Sequence, residues 1–246
     1  MMTKAKHWIV MMGVLMSTLM LNSCLSDDGY SLGDMWISVA TVESQQNSND
    51  YFFRLDDGTT LWPAAGYYIG QNMEDGQRVL LTYTVLSDEL SGFDHYIKVN
   101  DIETVLTKQI AEDKGVENDS YYGNDPVLVR KISVGQRFLT IWFEARYGGS
   151  KKHFVNLVQM ENESIDNYFE FRHNAYDDPA SDMLLSPVCF DLKSIDTEGE
   201  TIELVININT FDGEIAYKVE YNSHADKLSV SSIPNDANGG HNDKVE

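Results

Sequence analysis

Regular alternation of apolar and polar residues is the feature that most restricts the fold of this chain. Between residues 202 and 209 the apolar residues recur at every second position, which places them on one face of an extended strand: Ile202, Leu204, Ile206 and Ile208. Asp212-Gly213 follows, and Asp-Gly supplies the positive φ angles that a tight hairpin requires. The run from Ile215 to Tyr221 completes a predicted β-hairpin.

Residues 34–110 contain five shorter segments of this kind and predict a small barrel. Two of them flank Asp56-Asp57-Gly58, which is a second hairpin turn. The last changes its apolar phase near Asn100-Asp101, which indicates a β-bulge. Five strands in so short a stretch are typical of an OB-like β-barrel. The predicted strands are residues 36–42, 51–55, 59–62, 79–86 and 93–106.

The second half of the chain predicts a separate β domain. Seven strand segments lie within residues 127–233, the number found in an immunoglobulin-like sandwich. Residues 111–126 are rich in charged and turn-forming residues, so we interpret them as a linker. Residues 234–246 contain too few apolar side chains to order themselves, which predicts a disordered tail. The predicted class is all-β: an N-terminal five-stranded OB-like barrel followed by a C-terminal seven-stranded immunoglobulin-like β-sandwich.

Residues 1–23 have the composition of a secretion signal. Lys4 and Lys6 precede an apolar stretch from Trp8 to Leu21. This stretch is shorter than the roughly 20 residues that a membrane-spanning helix needs, and its length is that of a signal-peptide core. We therefore predict that this segment directs export and is then removed.

The end of this segment resembles the lipobox of bacterial lipoproteins. Leu21-Asn22-Ser23-Cys24 has the expected pattern apart from Asn22, and the resemblance implies a lipid on Cys24 and a tether over residues 24–33. An ordinary cleaved signal with an incidental cysteine is the alternative. Leu25, in place of an inner-membrane retention aspartate, favours the outer membrane. The acidic Ser26-Asp27-Asp28 resembles a surface-export signal, so we expect surface display rather than a periplasmic-facing protein.

Charge and cysteine content narrow the possible partners. The formal net charge is −21, and loss of the two lysines of the signal makes it −23. A body this acidic repels phosphate backbones, which argues against nucleic acid as a partner. Cys24 and Cys189 are the two cysteines, so a lipid on Cys24 leaves no internal disulfide. Cys189 lies in an apolar run and is predicted to be a buried, inert thiol rather than a nucleophile.

Five segments together resemble the NigD-like lipoprotein family of Gram-negative anaerobes. They lie in both halves of the chain: residues 36–42, 53–58, 75–79, 139–143 and 152–158. The resemblance implies an N-terminal OB-like domain and a C-terminal β-sandwich. The family takes its name from a bacteriocin gene cluster in which one member was proposed to be an immunity protein. The resemblance implies no catalytic residues.

The sequence contains no motif that identifies catalytic residues. The histidines lack the spacing of a helical metal site, and no nucleophile elbow or phosphate-binding loop is present. We therefore predict no catalytic residue, no metal site and no cofactor. Trp62, Tyr67 and Tyr68 are candidate ligand-binding residues, because exposed aromatic rings can stack on sugars, although core packing uses such residues too and is the interpretation that we favour.

These observations predict a non-enzymatic binding protein. We expect an outer-membrane lipoprotein, anchored through Cys24 and monomeric, that binds a protein or glycan of the envelope or the exterior. Bacteriocin immunity, which rests on the family name, is the first alternative. The second is a carboxylate-dependent hydrolase of an envelope polymer, since the chain holds 39 acidic residues from which a catalytic pair could be drawn.

Overall fold

A computed structural model describes residues 33–45, 50–66, 73–88, 91–162, 164–178, 182–224 and 228–231. Five strands form a closed barrel in the order β1-β2-β3-β5-β4, with β4 pairing back onto β1. They are β1 (Trp36–Ser44), β2 (Tyr51–Leu55), β3 (Thr60–Gly66), β4 (Arg78–Ser87) and β5 (His95–Thr104). This is the strand order of an OB fold, and it confirms the predicted barrel.

The local signals in the barrel act as the sequence predicts. Leu55 and Thr59 close the β2–β3 hairpin, with Gly58 at φ 92°. Along the β4–β5 pair, Asp101 lies opposite Thr82 and Val99 lies opposite Tyr83, so Asn100 is the extra residue of a β-bulge. The predicted phase change near Asn100-Asp101 is therefore confirmed.

The second domain is a sandwich of two five-stranded sheets. Sheet 1 has the order β14-β13-β11-β10-β7, and sheet 2 has the order β15-β8-β9-β12-β6. The strands are β6 (Leu106–Gln109), β7 (Ala111–Glu112), β8 (Leu128–Gly135), β9 (Phe138–Tyr147), β10 (Phe154–Gln159), β11 (Tyr168–Asn174), β12 (Asp182–Asp191), β13 (Ile202–Thr210), β14 (Gly213–Tyr221) and β15 (Ser229–Val230). The all-β class and the C-terminal β-sandwich are confirmed.

Three short strands raise the strand number of the sandwich above the predicted seven. β6 pairs in parallel with β12, β7 pairs in parallel with β10, and β15 pairs with β8. β6 lies inside the predicted barrel range of 34–110, so the barrel ends before it. These strands are two to four residues long, which is too short for an alternating pattern to appear.

Residues 111–126 belong to the sandwich instead of forming a free linker. After β7, a 3₁₀ turn (Gly115–Glu117) leads into a one-turn helix, α1 (Asn118–Tyr122). The buried Tyr122 donates a hydrogen bond from its hydroxyl to the Glu112 carbonyl at 2.8 Å. The polar side chains of this segment hydrogen-bond to its own backbone. For example, the Lys114 N–H donates to Asn118 Oδ1.

Some predictions fall outside the described residues. These are the signal peptide, Cys24 and most of its tether, Tyr67 and Tyr68, and the tail of residues 234–246. Among the residues that the structure does describe, no helix has the length and apolarity to cross a membrane.

A charged side chain lies buried where the two domains meet. Arg78 begins β4, is almost fully buried, and contacts the Asp56 carboxylate with its Nη2 at 2.7 Å. Its Nη1 donates to Thr41 Oγ1 of the barrel at 2.8 Å, and its Nη2 donates to Thr140 Oγ1 of the sandwich at 3.3 Å. The guanidinium lies 4.7 Å from the ring centroid of Phe138. Arg78 thus joins both domains through one planar group.

Apolar packing and a close backbone approach surround this arginine. Val39 and Val105 pack with Phe138 and Cys189 in a small apolar cluster between barrel and sandwich. A methyl group on Gly135 would lie 2.3 Å from Cβ of Asp56, so only glycine permits this approach. The junction is therefore tightly packed rather than hinged.

Replacement of Arg78 by methionine should strongly destabilise the chain. The change leaves the Asp56 carboxylate buried without its partner, which costs about 3–5 kcal/mol of unfolding free energy. Arg54→Met is the matched control, because Arg54 pairs with Glu43 where both side chains are about 30 % exposed, and such pairs contribute about 1 kcal/mol or less. Urea unfolding measures both. Equal losses in the two variants would contradict the assigned role of Arg78.

Candidate functional site

A groove of about 350 Å³ opens beside the domain junction. The barrel supplies one wall, and the two sheets of the sandwich supply the rest. Its apolar lining is formed by Leu80, Val105, Leu106, Phe143, Val155 and Leu184. Glu103, Lys152 and His153 provide polar groups. Pockets of this size and composition, at a boundary between domains, are typical ligand sites. We refer to it as the interdomain groove.

The groove exists because two strands are covered over only part of their length. β6 pairs with β12 from Val188 to Asp191 and leaves the first six residues of β12 without a neighbour on that side among the described residues. β7 pairs with β10 at Val158 and Gln159 alone. The ends of both sheets therefore part at the same place, and the apolar space between them opens to solvent.

Exposure of the lining side chains shows how open this end of the core is. Leu184 points between the sheets, yet 47 % of its surface is exposed, and Leu106 is 53 % exposed. Phe143 and Val155, which line the same space, are buried. An apolar ligand that covered Leu184 and Leu106 would gain roughly 25 cal/mol for each Å² removed from water.

A histidine pair joins the groove, where His153 lines it, to the buried His173 behind it. His153 Nδ1 and His173 Nε2 are 3.0 Å apart, and His173 Nδ1 lies 3.3 Å from the Asp125 carbonyl oxygen. Since a carbonyl only accepts, His173 Nδ1 donates to it, and a neutral His173 then accepts from His153. His153 Nε2 faces Asp178 at 3.4 Å, and Tyr147 packs edge-on against its ring. The hydrogen bonds fix the orientation of both rings.

Hydrogen bonds to Asp178 explain the ionisation of this cluster. Donation from the Ser150 hydroxyl and from the backbone N–H groups of Gly148 and Ser150 lowers the pKa of Asp178 to about 2. Burial lowers the pKa of His173, and the neighbouring His153 lowers it further. The cluster thus combines an ionised carboxylate with a histidine held neutral.

The cluster lacks the geometry of a nucleophilic triad. The nearby Ser150 hydroxyl donates to Asp178 and not to His153, so no base is placed to activate it. Among the described parts of the chain, no three His, Cys, Asp or Glu side chains are arranged to hold a metal ion. Sequence reasoning missed His153 as a groove residue because its partners lie far along the chain.

Ionisation of His173 predicts a pH-dependent stability. Its pKa is lower in the folded chain than in the unfolded chain, so the unfolded chain binds more protons and the folded state weakens as pH falls below about 6.5. One such proton changes the unfolding free energy by at most about 1.4 kcal/mol per pH unit. The variant His173→Gln should lose this component, as measured by urea unfolding from pH 7 to pH 5. An unchanged slope would contradict the assignment.

The aromatic candidate Trp62 lies on the outside of the barrel, away from the interdomain groove. It is half-buried, and its ring centroid lies 5.0 Å from that of Phe93, which in turn contacts Phe52 at 5.2 Å. Tyr96 lies 6.4 Å from both Trp62 and Phe93. The rings mainly cover one another, so their faces are less available for stacking on a sugar than an isolated exposed ring would be.

Cys189 lies at the junction as a buried free thiol. Burial raises the pKa of this thiol, which keeps it protonated and unreactive at neutral pH. Its contact is the Thr140 hydroxyl at 3.5 Å. The prediction of a buried Cys189 is confirmed, and it lies outside the interdomain groove.

Comparison with known proteins gives the family. Residues 39–105 match the NigD-like N-terminal OB domain, and residues 109–221 match the NigD-like C-terminal beta sandwich domain. No curated protein matches the chain.

Solved structures share the two-domain fold. A toxin-related protein from Parabacteroides distasonis is 46 % identical, with a TM-score of 0.69 over 78 % of this chain and 95 % of that one. A NigD-like immunity protein from Bacteroides caccae is 18 % identical, with a TM-score of 0.60 over 78 % and 99 % of the two chains. A lipoprotein from Bacteroides fragilis is 13 % identical, with a TM-score of 0.51 over the same shares. The chain described above belongs to the NigD-like family.

Proposed function

We propose that this chain is a non-enzymatic binding protein of the cell envelope whose ligand lies in the interdomain groove. The groove is the single observation that carries the proposal, because it is apolar, has a few polar groups at its rim and lies between two firmly docked domains. Arg78 and the surrounding contacts hold the walls in one arrangement, so ligand binding costs little conformational entropy of the walls.

The polar groups of the groove support binding over hydrolysis. Glu103 is the one carboxylate among its described lining residues, whereas a carboxylate-dependent hydrolase needs a pair about 5–10 Å apart. Bacteriocin immunity stays the alternative, because a Bacteroides caccae protein of the same fold is a NigD-like immunity protein. The strongly acidic body disfavours nucleic acid. We propose a monomer, whose like charges oppose self-association.

A groove-filling variant tests this proposal. Ser186→Trp would place an indole among the lining residues, so a ligand that occupies the groove should bind at least about tenfold more weakly. Leu185→Trp is the control, because Leu185 belongs to the same strand but lines a separate groove between the domains. Affinities for a panel of envelope glycans and proteins give the measurement. A partner that is unaffected by Ser186→Trp, or measurable turnover of a panel member, would contradict the proposal.

Membrane attachment is the second part of the proposal. The lipobox-like segment ending at Cys24 supports a diacylglycerol anchor, Leu25 supports the outer membrane, and Ser26-Asp27-Asp28 supports display at the cell surface. The structural similarity to a Bacteroides fragilis lipoprotein is in keeping with this.

Loss of Cys24 should release the chain from the membrane. In the Cys24→Ser variant no thiol can carry the lipid, so we expect the chain in the soluble fraction and no incorporation of labelled palmitate. Cys189→Ser is the control that retains the anchor cysteine. External protease should digest the wild-type body on intact cells. A palmitate-labelled Cys24→Ser variant would rule out this anchor, and protection from protease would rule out surface display.

A further inference from the structure

We propose that the ligand of the interdomain groove is an extended polypeptide segment that adds as a strand to the open edge of β12. This inference rests on the proposed function and specifies the chemical class of the partner. The segment has apolar side chains at alternate positions and an acidic group at the end that reaches Lys152. In effect, it continues the line of β6 along the part of β12 that β6 leaves uncovered.

The backbone of β12 offers the hydrogen-bonding groups for such a strand. The Leu192 N–H donates to the Arg137 carbonyl, so even-numbered residues direct their backbone groups towards β9. Odd-numbered residues therefore direct theirs to the other edge, where Met183 and Leu185 lie beyond the end of β6. Pro187 also faces this edge and has no N–H to satisfy. The pairing of Val188 with Leu106 uses the Pro187 carbonyl, so the two donors and two carbonyls of Met183 and Leu185 are left for a guest strand.

The side chains of β12 fit the same geometry. Leu184, Ser186 and Val188 line the interdomain groove, whereas Leu185 lines the groove on the opposite face of the strand. A guest strand paired along Asp182–Pro187 would direct every second side chain towards Phe143 and Leu184. The free length is about 20 Å at roughly 3.3 Å per residue, which allows about three inward side chains.

The opposite wall of the groove does not compete for the guest. Lys108 Nζ donates to the Val155 carbonyl at 2.9 Å and contacts Asn156 Oδ1. This lysine therefore satisfies the Val155 carbonyl on the β10 edge, and a guest strand there would have to displace it. β14 is also an edge strand in the described part of the sandwich, but none of its residues lines the groove, so we place the guest on β12.

The charge at the rim of the interdomain groove and the backbone groups of β12 indicate which kind of molecule occupies the groove. Lys152 supplies a positive charge at the rim of the groove on a chain whose net charge is −21, which favours an acidic group in the guest. An acyl chain could fill the apolar space but could not bond the backbone of Met183 and Leu185. A second copy of this chain would bring two bodies of −21 together. A polypeptide segment supplies the backbone donors and acceptors that pair with β12, together with apolar and acidic side chains.

Peptide selection with hydrogen exchange tests the proposal. The whole chain is used to select from a displayed library of peptides of about ten residues, and the best binder serves as the probe. We expect it to alternate apolar and polar residues and to contain Asp or Glu. In its presence, amide exchange at Met183 and Leu185 should slow at least about tenfold, because a paired edge amide is protected from water.

Two neighbouring leucines provide matched variants. Leu184 and Leu185 are 47 % and 48 % exposed, but only Leu184 lines the interdomain groove. Leu184→Glu should weaken peptide binding at least about tenfold, and Leu185→Glu should leave it within about twofold. Thermal unfolding of both variants checks that they fold. Equal effects of the two substitutions would overturn the assignment of the site.

The remaining outcomes separate this inference from the proposed function. Binding of decanoate that depends on Leu184 without protection of Met183 and Leu185 would overturn strand addition and retain a ligand in the groove. Protection without peptide, together with a dimer in sedimentation, would identify a second copy as the occupant and overturn the peptide. Selection that yields no binder sensitive to Leu184→Glu overturns the inference, and a panel without any groove ligand overturns the proposed function.

Discussion

The buried ion pair of Arg78 with Asp56 is the interaction on which the arrangement of the two domains depends. Arg78 bonds Thr41 of the barrel and Thr140 of the sandwich, and it lies against the ring of Phe138. Burial of a charged pair adds little net stability, but it penalises any arrangement in which one partner is left alone. Both partners belong to the barrel, and it is their contacts with Thr140 and Phe138 of the sandwich that fix one docking of barrel on sandwich.

The shape of the interdomain groove depends on how the barrel docks on the sandwich. Leu80 lies on the same strand as Arg78, and Glu103 lies on the strand paired with it, so the barrel wall of the groove moves with the arginine. The other walls of the groove, which the two sheets of the sandwich supply, end where strands β6 and β7 end. A rotation of the barrel would open or close the groove, and the contacts of Arg78 with Thr140 and Phe138 oppose this. The binding site and the domain junction are for this reason one structural unit.

The sequence predicted those elements whose signals are local. Asp-Gly turns, the alternation from Ile202 to Ile208, and the phase change at Asn100 each act within a few residues, and each has its predicted structural counterpart. The short strands escaped prediction because β7 has two residues and gains its pairing from β10. Residues 111–126 are polar in composition, yet they pack on the sandwich through Tyr122.

The candidate site could not be predicted because its parts come from distant positions in the chain. Arg78 and Thr140 are 62 residues apart, and Lys108 reaches Val155 across 47. Arg78 follows a turn in the sequence, where an arginine is normally exposed, and only the docking of the sandwich buries it. The open edge of β12 likewise depends on which strand stops beside it. Pro187 moderates that edge as natural proteins do, by removing a donor, which leaves room for a specific guest and discourages unspecific pairing.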